Sequence, residues 1–130
     1  MGLDMYAYRM KGFVPAKPID FGSEIRAFEE QDSGPEEFFY WRKHPNLHGL
    51  MSQIYQEKGG LEVFNCVPVM LEQADLDRIR EEVMARNLPN TEGFFFGEST
   101  DEDYKQDLEF LDLAQKSLTE GYTVWYDSWW

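Results

Sequence analysis

The sequence predicts an α+β (or α/β) fold: a sheet of about five strands with three main helices packed on it. Three observations carry this expectation. Short alternating or apolar runs recur along the chain, amphipathic stretches with helical spacing fall between them, and Gly or Pro stands at most junctions. The resulting order is β-insert-β-α-β-α-β-α-β, and elements so interleaved form layers of helix on sheet.

Leu3 to Tyr8 alternates as a strand does, with Leu3, Met5 and Ala7 on one side and Asp4, Tyr6 and Tyr8 on the other. Residues 12–35 are irregular, acidic and rich in Pro and Gly, and read as a long insert. Phe38 to Trp41, four aromatics in a row, reads as a buried strand. Pro45 suits a first helical position, and Leu47, Leu50, Met51, Ile54 and Tyr55 form one helical stripe ended by Gly59 and Gly60. Phe64 to Leu71 reads as an edge or bulged strand, because Pro68 lacks a donor. A second helix is expected over about residues 73–86 on Leu76, Ile79 and Val83. Gly93 to Gly97 reads as a short strand. Ser99 with Glu102 then has the spacing of a capping box for a helix running to Glu120. Tyr122 to Tyr126 is the last expected strand. Trp129 and Trp130 should be ordered, with one indole in the core.

A length of 130 residues fits one domain spanning 1–130 that folds without a disulfide or metal. The aromatic content of 16% points to a core built from rings. Twelve Lys and Arg against 25 Asp and Glu leave a formal charge of −13. That balance argues against direct nonspecific nucleic-acid binding and against anionic membrane surfaces, and leaves room for a basic protein partner. One cysteine, Cys66, asks for no oxidising compartment, and its strand position suggests a small buried hydrophobe. With no signal-peptide pattern and no apolar membrane span, a cytoplasmic location is expected.

Candidate chemistry gathers at two places. Trp41-Arg42-Lys43-His44 is the one basic cluster, at a strand-to-helix turn where backbone N–H groups could join Arg42 and Lys43 around an anion. His44 and His48 are four apart, yet His44 precedes Pro45 as a cap and the HExxH pattern is absent, so no metal and no cofactor are expected. Asp4, Tyr6 and Tyr8 share a strand face and could line a pocket, with Asp127 as a second carboxylate.

The segments MGLDMY, YWRKHPNLH, GFFFG and the closing SWW stand in this order. The set resembles a family of small uncharacterised proteins encoded by bacteria and phages. The resemblance implies a bacterial or phage setting and carries over no functional residue. The leading expectation is a noncatalytic protein-interaction domain acting through an acidic, aromatic surface. The alternative is an anion-binding or enzymatic domain with a site around Asp4, Tyr6, Arg42, Lys43, His44 and His48, with Trp41 beside them.

Overall fold

The computed structural model describes residues 2–29, 34–93 and 97–130. It contains a four-stranded antiparallel sheet in the order β2-β1-β4-β3. The strands are β1 (Asp4–Met10), β2 (Glu36–Arg42), β3 (Val69–Met70) and β4 (Thr123–Trp129), and the helices are α1 (Gly22–Arg26), α2 (Pro45–Glu57), α3 (Gln73–Met84) and α4 (Asp101–Thr119). Strands and helices segregate to different layers, which makes the class α+β. No helix among the described residues is long and apolar enough to cross a membrane.

The alternation of β1 divides the molecule. Leu3, Met5 and Ala7 are fully buried in the main core with residues of α2, α3 and α4. On α2, His44 is the N-cap and Pro45 the first residue, and the expected stripe of Leu47, Leu50, Met51, Ile54 and Tyr55 is buried. Gly59, at φ +101°, supplies the left-handed turn after this helix. Leu76, Ile79 and Val83 bury one side of α3, whose N-terminus carries a Glu72–Asp75 capping box. Phe110, Leu111 and Ala114 do the same for α4.

Several expectations are corrected. Among the described residues the sheet has four strands where about five were expected, and the strand expected at residues 93–97 falls on Phe94, Phe95 and Phe96, which lie outside the described residues. The strand expected over residues 64–71 contracts to Val69–Met70, because Cys66 turns at φ +60° and Pro68 has no N–H for the ladder. Cys66 is exposed rather than buried. The capping box of α4 is Thr100 with Asp103, one residue later than expected, since Ser99 is engaged by His44 and Asn46. Of the aromatic run, only Trp41 is fully buried, because β2 lies at the sheet edge. A bulge there pairs Ala7 with Phe39 and Tyr8 with Glu37, so that Phe38 is the extra residue. Phe38 and Phe39 therefore both reach Phe110 of α4, at centroid separations of 6.0 and 5.8 Å.

The insert is more than a loop. Ile19 bridges to Val69, and Met70 N–H donates to the Pro18 carbonyl at 2.7 Å. Phe13, Phe21 and Ile25 close a second small core with Met10 and Trp125, on the sheet face opposite α2, α3 and α4. At the carboxyl end neither indole enters the core: Trp129 is 63% and Trp130 38% exposed. Trp130 is nonetheless fixed, its indole N–H donating to the Phe64 carbonyl and its backbone N–H to the Asn65 side chain.

Gly60 shows how tightly the end of α2 is packed. A Cβ on it would stand 2.3 Å from the buried Tyr55 ring, whose hydroxyl donates to Asp20 and accepts from Glu62 N–H. Gly60→Ala is expected to cost about 1–3 kcal/mol, the usual range for overpacking. Chemical denaturation reads it directly, and an unchanged midpoint would mean that this ring moves freely.

Candidate functional site

The sheet face turned away from α2, α3 and α4 carries an ordered grid of side chains. Asp4, Tyr6 and Tyr8 run along β1. Cross-strand pairing sets Arg42 and Trp129 on either side of Asp4, Tyr40 and Asp127 on either side of Tyr6, and Glu37 and Trp125 on either side of Tyr8. Direct neighbours in a sheet have Cβ atoms about 5 Å apart, so each row is a set of contacts. Tyr40, Tyr6, Tyr8 and Trp125 form a continuous line of rings, with successive centroids 5.4, 6.0 and 5.8 Å apart.

One end of the grid opens into a cavity of about 410 Å³ between the sheet and α1, lined by Tyr8, Ile25, Arg26, Glu29, Trp125 and Asp127 among others. Asp127 accepts the N–H of Ser128 at 2.7 Å, and among the described residues no cation lies within ion-pair distance of it. Burial raises its pKa to about 6, with the Ser128 N–H opposing the shift. Burial, then Glu37 and Asp127, push the Tyr8 phenol up to about 12. Tyr40 donates to Asp4 at 2.5 Å, and that hydrogen bond is the main reason its own pKa rises to about 12. At neutral pH these phenols are uncharged, so the face combines neutral rings with carboxylates.

The ligand-binding residues singled out in the sequence fall in four places. Asp4, Tyr6 and Arg42 share the open face. Trp41 and His44 lie on the other side of the sheet, joined through Asp107 of α4: Trp41 Nε1–H donates to Oδ1 at 3.0 Å, and His44 Nε2 lies 2.7 Å from Oδ2. His48 sits apart, its Nδ1 2.6 Å from the Tyr126 hydroxyl and its ring tilted against Phe64 at 5.0 Å. Burial lowers the His48 pKa to about 4, so at pH 7 the ring is neutral. Lys43 is exposed at the turn, at φ +55°, its N–H bound to the Leu3 carbonyl at 2.8 Å. The Asn46 N–H, which could have served an anion at this helix start, donates to Ser99 Oγ at 3.1 Å.

Tyr40, Trp125, Ser99 and Asp107 were missing from the sequence-based set. The first two were hidden because only strand order reveals which strands flank β1. Asp107 was hidden among the acids of α4. Its place on the apolar stripe, three positions before Phe110 and four before Leu111, was the available signal. Among the described residues no three His, Cys, Asp or Glu side chains converge as metal ligands would. Comparison of the chain with protein-family models, with curated proteins and with solved structures yields no match.

Proposed function

We propose that the open sheet face binds a cationic segment of a partner protein, without catalysis. The observation that carries this reading is Asp127: a carboxylate half-buried beside Tyr6 and Tyr8, with burial against its charge and, among the described residues, no cation within ion-pair distance. An incoming lysine or arginine would supply the missing charge while its stem or guanidinium lay over the rings. Asp4, Glu37 and Glu29 extend the acidic border, and the net charge of −13 would draw a basic partner in from a distance. A four-stranded sheet with exposed rings also suits base stacking. Nucleic acid would bring phosphates to a border dominated by carboxylates, with Arg42 and Arg26 as the cations there, so the cationic ligand is preferred. The proposal takes the chain as one cytoplasmic domain of bacterial or phage origin that needs no cofactor.

Titration with a lysine- and arginine-rich peptide, followed by tryptophan fluorescence, tests the reading. Binding should weaken as salt is raised, and an acidic peptide of equal length should not bind. Tyr6→Ala and Asp127→Asn should each weaken binding about tenfold or more, since a cation–π or desolvated charge contact contributes about 1–2 kcal/mol. Equal affinity for the two peptides would refute it.

A further inference from the structure

A second constellation lies on the opposite side of the sheet and is independent of the open face. His44 is fully buried, with its two ring nitrogens held by different partners. Nε2 lies 2.7 Å from Asp107 Oδ2 and Nδ1 2.7 Å from the Ser99 hydroxyl; in the neutral tautomer with its proton on Nε2, Asp107 accepts that proton and Nδ1 accepts from Ser99. Asp107 is held in turn by Trp41 Nε1–H at 3.0 Å. Burial pushes the Asp107 pKa up, and the hydrogen bonds from His44 and Trp41 pull it back. Hydroxyl, base and orienting carboxylate thus follow one another as nucleophilic catalysis by serine requires, with the ring nitrogens used in the reverse of their usual order.

Two further features favour reaction at Ser99. Its hydroxyl oxygen accepts the Asn46 N–H at 3.1 Å, at the N-terminus of the 13-residue α2, where backbone donors and the helix dipole favour negative charge. Ser99 also lies in the wall of a cavity of about 420 Å³ that Asn46, Asn90, Thr91, Glu92 and Glu98 help to line. The carboxylate of Asp103, 3.9 Å from His44 Nδ1, and the Tyr104 ring, edge-on at 5.8 Å, complete the surroundings of the imidazole on the α4 side.

We infer that Ser99, His44 and Asp107 form an acyl-transfer site that accepts a small carboxylic ester or thioester. The Ser99 oxygen attacks the carbonyl carbon and its proton passes to His44 Nδ1. The leaving alcohol or thiol takes that proton as its bond to the acyl carbon breaks. Water then attacks the acyl-serine, again losing a proton to His44, and Ser99 is restored. Ser99 and His44 are the catalytic residues. Asp107 acts through His44 as a positioning residue. Glu92 and Glu98 favour a substrate that is neutral or positively charged over one bearing a carboxylate or phosphate.

A fluorophosphonate probe tests the site on the full chain. Ser99 Oγ would bond to phosphorus, the P–F bond would break, fluoride would leave, and the hydroxyl proton would pass to His44. The expected result is one adduct per chain, mapped by mass spectrometry to Ser99 and absent from Ser99→Ala. Loss of general-base assistance typically slows such chemistry by about 10²–10⁴-fold. Asp107→Asn, verified as folded by circular dichroism, should therefore label at least about 100-fold more slowly and with an altered dependence of rate on pH. A merely structural carboxylate would leave that dependence unchanged. Folded wild-type protein without an adduct at Ser99, or Asp107→Asn labelling at the wild-type rate, would overturn the assignment. If Asp107→Asn does not fold, wild-type protein and Ser99→Ala decide the outcome.

Discussion

Asp107→Ala is expected to lower the free energy of unfolding by about 3–5 kcal/mol, the combined cost of leaving two buried donors unpaired and of opening a void beside them. The carboxylate is fully buried and holds two donors that have little access to water: His44 is 0% and Trp41 1% exposed. Alanine would leave both N–H groups without an acceptor, each at about 1–3 kcal/mol, and would open a void beside Phe110, whose ring packs 4.7 Å from Trp41. Urea denaturation measures the loss. Asp107→Asn retains the shape and one acceptor, so it should lose less. A loss for Asp107→Ala below about 1 kcal/mol would show that β2 and α4 are held together by their rings alone.

Asp127→Asn should act in the opposite direction. The folded-state pKa of about 6 stands above the ordinary 3.8, so between these values the folded protein holds more protons than the unfolded chain. Stability therefore falls as pH rises through that window and stays reduced above it. At about 1.36 kcal/mol per pKa unit, the penalty at neutral pH is at most about 3 kcal/mol. Asparagine carries no charge to desolvate. The variant should melt at a higher temperature than wild type at pH 7, and the gap should close towards pH 4. A wild-type stability flat from pH 4 to 7 would contradict this. Greater stability coupled with lost affinity for a basic peptide would mark Asp127 as a residue that costs the folded state and serves the ligand.

Much of the architecture was legible because it depends on local rules. The stripe on α2, the alternation of β1 and the caps at Pro45 and Gly59 each follow from spacing of a few residues. Asp4, Tyr6 and Tyr8 could be grouped for the same reason, since alternation assigns faces within a strand, whereas the place of Asp127 beside Tyr6 depends on strand order. Sheet order is a different kind of information. That Tyr40 and Trp125 flank this group follows from β1 lying between β2 and β4, which no local pattern encodes. The Trp41–Asp107–His44–Ser99 chain is harder still to read. It joins residues about 60 positions apart through single hydrogen bonds, and its aspartate stands in a helix where acids are common. Cys66 misled because an extended apolar neighbourhood does not announce a left-handed residue within it.

The middle of the sheet has a consequence for how the molecule assembles. Its two central strands lie at opposite ends of the described chain, with Asp4 opposite Trp129 and Met10 opposite Thr123. Closing so large a loop costs entropy before any contact offsets it. Such topologies fold slowly for their size. During synthesis, β1 and β2 can form a hairpin early, but the apolar underside of that hairpin has no complete cover until β4 has left the ribosome. In that interval Leu3, Met5 and Trp41 are the side chains most in need of a chaperone, and the acids Glu36 and Glu37 on the outer strand help keep nascent hairpins from pairing with one another.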